Sequence, residues 1–263
     1  RHNDNSFRRR LPMRLLNRAL WRGVDAGIAV SDAVRAFCIE VEGAPPAKMH
    51  TIRYGLEDRP DPARRQADRI AVRSELRLSP DAPVIGMVGR LIEQKGIEYG
   101  LRAFAAVAPD YPDARLLISG EGPLRNKLEA LAASLGVKDR VQFLGWREDV
   151  LRIFAALDIF LMPSLWEGFG LVLLEAMSQR LPIVASCVSA IPEVVQHGVT
   201  GLLVPPRDTG ALAGALRVLL ADPPLRQHMG LLGEDRLEEQ FSAERMVDET
   251  LALYQSLPAR RRG

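Results

Sequence analysis

The chain has few residues of the kinds that bind metal ions or form disulfides. Its 263 residues include two cysteines and four histidines. Cys38 and Cys187 are far apart and fit no metal-binding or redox spacing, so we expect free thiols in a reducing compartment. The histidines are His2, His50, His197 and His228, and no two of them are four residues apart. The sequence therefore predicts no metal site, and we expect no bound cofactor.

Long apolar runs are also absent. No segment is apolar over the length that a membrane-spanning helix needs, and nothing resembles a signal peptide. We expect a cytoplasmic protein, with the inner face of the membrane as the alternative. The formal net charge of +2 is too small to indicate nucleic-acid binding.

Arginines crowd both ends of the chain. Residues 3–22 are typical of a basic amphipathic helix, which packs on a domain or makes a peripheral contact with a membrane. Both clusters are also typical of a solvated face and a frayed tail, and this interpretation is favoured over a contact with phosphate or a membrane. The clustered residues are Arg8, Arg9, Arg10, Arg14, Arg18 and Arg22 at the start, and Arg260, Arg261 and Arg262 at the end.

A repeated order of strand, glycine turn and helix fills most of the chain. Apolar strand-like runs lie at 84–88, 115–119, 141–144 and 158–162, each followed by a polar or glycine-rich turn. This alternation predicts an α/β fold with a doubly wound, Rossmann-like parallel sheet. Ligands in such sheets bind outside the carboxyl ends of the strands. The turns expected at that rim are Gly89-Arg90, Gly120-Glu121-Gly122, Gly145-Trp146 and Glu167-Gly168-Phe169-Gly170.

Asp58, Pro60 and Pro62 indicate a linker between two domains. We expect residues 1–57 to be the remnant of an N-terminal domain and residues 58–240 to form the ligand-binding domain. Residues 241–263 would then be a C-terminal helix and tail that returns to the N-terminal part. The chain starts without methionine inside structured sequence, so the sequence predicts a fragment.

Two glutamates stand out in the stretch 166–175. Glu167 lies in a loop with Gly168 and Gly170, and Glu175 lies in the apolar helical run that follows. An ionised carboxylate in apolar surroundings is costly unless it accepts hydrogen bonds. With a helix opening near Gly168 or Phe169, Glu175 would lie about 9 Å along it, a gap that suits a diphosphate between two sugars. We expect each glutamate to bind sugar hydroxyls. The alternative is that Glu167 caps the helix and Glu175 points to water.

Arg90 and Lys95 flank the turn after the first strand of the sheet. The turn matches neither a dinucleotide fingerprint nor a Walker A loop. Two cations at this spacing can hold one diphosphate, although single basic residues on loops are more often solvated.

Several blocks taken together resemble the retaining glycosyltransferase family 4, which has the GT-B fold. The resemblance runs from Gly27 to Tyr254 and is carried by G-R-L-x-x-x-K-G, G-E-G-P, F-L-G and E-G-F-G-L-V-L-L-E-A-M, in that order. It implies a Rossmann-like C-terminal domain with a truncated Rossmann-like N-terminal domain. Tyr54 replaces the asparagine usual in the interdomain block, so a polar role at that position is in doubt.

The resemblance also implies roles for individual residues. Arg90 and Lys95 would bind the donor diphosphate, Glu167 would contact the transferred sugar, and Glu175 would bind the ribose. His2 matches the spacing of a family histidine that reaches toward the donor sugar. Backbone groups near the sugar and phosphates would come from Gly168, Phe169, Gly170, Leu171 and Val172, and the nucleobase pocket would involve Gly120, Glu121, Leu144, Gly145, Trp146 and Arg147.

The function implied is transfer of a sugar from a nucleotide-diphosphate donor to an acceptor hydroxyl, with retention and without a metal. The partners would be the nucleotide sugar and a carbohydrate or lipid-linked acceptor, as in polysaccharide or glycolipid biosynthesis, and no nucleic acid. Two alternatives stay open: a nucleotide-binding module without catalysis, and a sugar-nucleotide epimerase on a related fold.

Overall fold

The computed structural model describes residues 17, 20–57 and 60–257. Most of the helix predicted over residues 3–22 lies outside the described residues, as do His2, Asp58 and the C-terminal arginines. In the described part of that segment, Asn17 and Leu20 are helical, and a 3-10 turn follows at Trp21–Gly23, in which Trp21 is buried.

Residues 20–57 form a small parallel sheet with one helix. Strands β1 (Gly27–Ala29) and β2 (Met49–Thr51) pair in register, and helix α1 (Asp32–Glu40) connects them. Ser31 caps α1, because its hydroxyl accepts a hydrogen bond from the Val34 amide. Lys48 donates to the carbonyls of Trp21 and Val24, which fastens the preceding turn to this sheet.

Six further strands form one parallel sheet. They are β3 (Val84–Val88), β4 (Arg115–Ser119), β5 (Val141–Gly145), β6 (Ile159–Met162), β7 (Ile183–Ser186) and β8 (Gly201–Val204). Their order is β5-β4-β3-β6-β7-β8, and every neighbouring pair is parallel. The predicted α/β fold with a doubly wound sheet is thereby confirmed.

Helices cover both faces of this sheet, and the last three come after its final strand in the chain. They are α2 (Pro62–Glu75), α3 (Ile97–Val107), α4 (Arg125–Ser134), α5 (Val150–Ala155), α6 (Leu171–Ser178), α7 (Ile191–Val194), α8 (Thr209–Ala221), α9 (Pro223–Gln240) and α10 (Ala243–Ser256). The central strands are apolar on both sides because helices pack on each face. Helix α3, for example, buries Ile97, Leu101 and Phe104, which recur at helical spacing.

The proline-rich stretch after residue 57 is short, because helix α2 already begins at Pro62. Asp61 accepts a hydrogen bond from the Arg64 amide, and Pro62 occupies the first turn of α2, where a missing N–H costs nothing. The sequence interpretation assigned no helix here. Arg73 of α2 is nevertheless buried, and it donates to the carbonyls of Ala156 and Ala82 and to Asp158. The many polar residues of α2 give no indication in the sequence that the helix packs against the domain in this way.

The start of α10 lies against residues 53–56. The Leu56 amide donates to the Phe241 carbonyl, Leu56 forms a bridge to Ser242, and Arg245 donates to the Arg53 carbonyl. The division into residues 1–57, 58–240 and 241–263 stays a prediction.

None of the helices within residues 20–57 and 60–257 is both long enough and apolar enough to span a bilayer.

Candidate functional site

The strand order reverses between β3 and β6, and the candidate site lies at the carboxyl ends of these two strands. Gly89 and Arg90 follow β3, and residues 163–170 follow β6. Because all six strands are parallel, the turns after β4 and β5 lie on the same rim. A doubly wound sheet opens its ligand crevice at such a reversal.

The turns along the rim are fastened to one another through backbone groups. The Gly120 amide donates to the Gly145 carbonyl at 2.7 Å, and the Leu91 amide donates to the Glu121 carbonyl at 2.8 Å. Gly120 has a φ of +133°, and a Cβ atom there would lie 2.0 Å from the Gly89 carbonyl oxygen. Only glycine fits this position, so the glycine turn is part of the rim's construction.

Lys95 and Glu167 form an ion pair across the crevice. The Lys95 Nζ atom lies 2.6 Å from Glu167 Oε2, and the side chains are only 18% and 10% exposed. The stem of Lys95 runs past Gly89, which has no side chain to obstruct it. The sequence interpretation treated Lys95 as a cation for a ligand and Glu167 as a separate carboxylate. The structure joins them, so two of the three ammonium hydrogens are left for other acceptors.

Arg90 differs from Lys95 in its surroundings. It is exposed, and its guanidinium makes no hydrogen bond or ion pair with any residue that the structure describes. Arg90 thus adds an unpaired positive charge beside the Lys95–Glu167 ion pair, which is neutral as a pair.

Gln94 holds the loop that carries Glu167, a contact that sequence reasoning missed. The Leu165 amide donates to the Gln94 carbonyl at 2.8 Å, and the Gln94 side-chain amide donates to the Trp166 carbonyl at 3.1 Å. The position of Gln94 next to Lys95 in the sequence is the signal that could have found it. Both partners of the ion pair are therefore held by the same two loops.

Phe169 anchors the loop that carries Glu167 to the core of the protein. Its ring is 3% exposed and meets the rings of Tyr54 and Phe241 edge-on, with centroids 5.4 Å and 5.9 Å away. Tyr54 accordingly packs here as an aromatic residue, and burial raises the pKa of its hydroxyl. Only the backbone of Phe169 remains for a ligand.

Helix α6 begins directly after the loop and directs its N-terminus at the crevice. Gly170 has a φ of +90°, a left-handed conformation that turns the chain into the helix. The amides of Leu171 and Val172 have no partner within the described residues. Unpaired amides and the positive end of the helix dipole favour an anion at this point.

Glu175 is the fifth residue of α6, about 6 Å from the helix start at 1.5 Å per residue. The distance of about 9 Å expected from the sequence was wrong, because the helix begins at Leu171 and not at Gly168. Burial raises the pKa of the Glu175 carboxyl. This carboxylate accepts no hydrogen bond from any described residue, in agreement with its apolar surroundings. Hydroxyl groups of a ligand would supply what the protein does not.

The block at the end of β5, residues 144–147, divides into two parts. Trp146 is 65% exposed and follows Gly145 onto the rim, while the half-buried Leu144 packs against the core under α2. Arg147 is bound to Glu75 and Asp149, and its hydrogen bond to Glu75 is the main reason that its pKa is raised. Of the residues predicted for a nucleobase pocket, Trp146 is thus open to a ligand and Arg147 is already occupied.

A second contact missed from the sequence joins residues 20–57 to the loop. The Ser31 hydroxyl donates to the Gly168 carbonyl at 2.7 Å. On α7, the Glu193 carboxylate accepts from the amides of Asp32 and Ala33 at 2.9 and 2.8 Å, and from Arg53. Glu193 therefore caps α1 from another element. Helix α7 is only four residues long, and its sequence gave no indication that one of its residues caps another helix.

Within residues 20–57 and 60–257, no three His, Cys, Asp or Glu side chains are grouped so as to hold a metal ion. His2 lies outside the described residues.

The chain is similar to proteins of known family along most of its length. The family described as "Glycosyl transferases group 1" matches residues 68–235. The alpha-D-kanosaminyltransferase of Streptomyces kanamyceticus is 31% identical over 81% of this chain and 55% of its own. The alpha-maltose-1-phosphate synthase of Mycolicibacterium smegmatis is 33% identical over 93% of this chain and 66% of its own.

Solved structures show the same fold. HepE of Anabaena, crystallised with UDP and glucose, superposes with a TM-score of 0.85 at 24% identity, over 93% of this chain and 66% of that one.

This chain spans about half the length of the curated relatives with the strongest matches. The family match covers well over half of the chain and includes every rim turn described above. The chain therefore belongs to the group 1 glycosyl transferases.

Proposed function

We propose that this chain binds a nucleotide-diphosphate sugar at the rim described above and that the whole protein transfers the sugar to an acceptor hydroxyl with retention. The observation that supports it most is the grouping on one rim of an unpaired arginine, a lysine–glutamate pair and a helix N-terminus. These groups suit a diphosphate with a sugar at each end.

The charges of the rim match those of the donor. Arg90 has no carboxylate partner, so its charge is available to a phosphate. Lys95 can donate to a phosphate oxygen while it keeps its 2.6 Å contact with Glu167. The amides of Leu171 and Val172 add two neutral donors at the positive end of α6.

The two glutamates would bind sugar hydroxyls at opposite ends of the diphosphate. No described residue donates a hydrogen bond to the Glu175 carboxylate, and the two vicinal hydroxyls of a ribose would supply two such donors. Glu167 has Oε2 engaged by Lys95 and Oε1 available to the transferred sugar. Trp146 offers an exposed ring on which a base can stack.

Catalysis would rest on positioning and on charge. The bond between the anomeric carbon and the diphosphate breaks while the bond to the acceptor oxygen forms on the same face of the sugar. The acceptor's proton passes to an oxygen of the departing diphosphate, and Arg90, Lys95 and the α6 amides stabilise the negative charge that develops there. These groups supply the positive charge in our proposal, so no metal ion is required.

Calorimetric titration with UDP, GDP and ADP tests the donor site. UDP comes first because the similar fold of HepE holds it. We expect one nucleotide to bind with one site per chain. Absence of binding by all three would refute the donor site in this chain.

A charge-matched pair of variants locates the binding. Arg90→Gln removes a charge-assisted hydrogen bond and should weaken nucleotide binding about ten- to a hundredfold. Arg102→Gln removes the same charge from an exposed position of α3 and should leave affinity unchanged. Equal affinities for the two variants would contradict the proposed role of Arg90.

The stereochemical part of the proposal needs a separate measurement. Proton NMR of the product, recorded as it forms in an active preparation, should show the anomeric configuration of the donor. An inverted product would refute retention and leave the donor site intact.

A further inference from the structure

A large cavity lies at the opposite edge of the main sheet from the Glu167 loop. Its volume is about 430 Å³, within the range of small-molecule sites in proteins. Residues just before β6 and β7 form its floor, and α2, the end of α6 and the start of α9 form its walls. The catalytic proposal above assigns it no role.

Positive charge dominates the walls of this cavity. Four arginines and a single carboxylate line it: Arg65, Arg69, Arg180 and Arg226, with Asp158. The two carboxylates that form ion pairs with these arginines do not balance their charge, because each is shared between two arginines. Asp158 pairs with Arg69 and with Arg73 at 2.6 and 2.8 Å. Glu234 likewise pairs with Arg65 and Arg180, at 2.7 and 2.6 Å.

Arg226 adds a further charge that no described carboxylate balances. One of its terminal nitrogens donates to the carbonyls of Leu219 and Leu220 at the end of α8. Those contacts fix the position of the guanidinium at the wall. They leave its other N–H groups available, since a guanidinium has five.

The walls also contain polar atoms without partners. Arg65 Nε and Gln179 Oε1 are buried, and neither has a hydrogen bond within the described structure. Folded proteins satisfy almost all of their buried polar groups, so each exception calls for an explanation, such as strain or a bound water or ion. Both atoms belong to residues that line the cavity, and other buried atoms of this kind lie elsewhere in the described structure, as in Ser164 and Ser186.

We infer that this cavity is a binding site for a small phosphate-bearing molecule, separate from the proposed donor site. Arginine guanidinium groups bind phosphate oxygens in paired hydrogen bonds, and the excess of arginine over carboxylate favours an anion of charge two or more. The volume accommodates a phosphorylated metabolite as well as inorganic phosphate. Helix α6 connects the two sites, with Leu171 at the rim and Ser178, whose carbonyl accepts from Arg65, at the cavity.

Inorganic pyrophosphate, titrated at constant ionic strength, is the probe. Gln66 and Gln227 line the cavity from exposed positions and make no hydrogen bond with other described residues. The double variant Gln66→Glu/Gln227→Glu therefore adds two negative charges without removing a contact. We expect it to weaken pyrophosphate binding at least tenfold.

Gln240→Glu/Gln255→Glu is the matched control, since it makes the same charge change at exposed positions near the ends of α9 and α10. Its affinity for pyrophosphate should equal that of the wild type. Equal affinities for the two double variants, or no binding to the wild type, would overturn the inference.

Hydrogen–deuterium exchange locates the bound pyrophosphate independently of any variant. Protection should appear at residues 178–182 and 223–227. Protection confined to residues 89–97 and 165–172 would place the pyrophosphate at the donor rim and overturn the inference. The donor-site proposal would stand in that case, because its own test uses nucleotides and Arg90.

Discussion

Replacement of Glu193 by alanine should loosen the connection between residues 20–57 and the main sheet. The Glu193 carboxylate accepts from two amides in the first turn of α1, those of Asp32 and Ala33, and pairs with Arg53. Alanine at this position removes all of these contacts. Ser31 retains its hydrogen bond from the Val34 amide, so α1 should remain folded.

The size of the effect follows from these contacts. Loss of a side chain that caps a helix N-terminus costs about 1 kcal/mol, and loss of a negative charge there costs about 0.3–1 kcal/mol more. The ion pair with Arg53 is partly exposed, and Arg53 keeps its contact with Asp32, so this term adds only a few tenths of a kcal/mol. We expect Glu193→Ala to lower the free energy of unfolding by about 2 kcal/mol in total.

Urea unfolding followed by circular dichroism measures this difference. Glu148→Ala is the control, since Glu148 is exposed and its side chain makes no hydrogen bond or ion pair with other described residues. It should change stability by less than about 0.5 kcal/mol. Glu193→Gln keeps one acceptor and should fall between the two. A Glu193→Ala variant as stable as the control would refute the assigned role, as would unchanged hydrogen exchange over residues 32–40.

Three further substitutions test the rim. Because burial raises the pKa of Glu175, the folded chain holds its proton to higher pH than the unfolded chain, and stability falls as pH rises above the ordinary value of 4.5. In urea unfolding, Glu175→Gln should therefore be more stable than the wild type at pH 7 and equally stable below pH 4. A variant less stable than the wild type at pH 7 would contradict the unfavourable burial of the Glu175 carboxylate. Gly120→Ala places a Cβ atom 2.0 Å from the Gly89 carbonyl oxygen and should cost at least about 2 kcal/mol, seen as a lower Tm than for Gly214→Ala, where a Cβ meets nothing within 4 Å. Phe169→Ala empties a buried aromatic site and should cost about 3–5 kcal/mol in the same measurement, with an unchanged Tm refuting the anchoring role.

Much of the sheet could be predicted from the sequence because its strands are buried on both faces. Such strands are continuous apolar runs that end at glycine, and the predicted strands at 84–88 and 115–119 agree with the structure residue for residue. Parallel strands bring their carboxyl ends to one edge, so the grouping of four turns on one rim followed from the pattern alone.

Helix α2 could not be predicted in the same way. Its sequence is rich in arginine, and Pro62 at its start, with Pro60 just before it, is typical of a linker. The burial of Arg73 depends on Asp158 and on the carbonyl of Ala156, which are distant in sequence, as well as on the nearby carbonyl of Ala82. A charged residue therefore becomes part of the interior only when the tertiary fold supplies its partners.

The sequence by itself determined the order of strands and helices apart from α2, the glycine turns and the residue types available at the rim. These depend on hydrophobic periodicity and on local backbone preference, which are properties of neighbouring residues. The tertiary structure alone decided which of those residues are free. Lys95 is paired with Glu167 and Arg147 with Glu75, while Arg90 and Glu175 have no described partner. That difference arises from contacts between residues about 70 positions apart, and no local pattern encodes them.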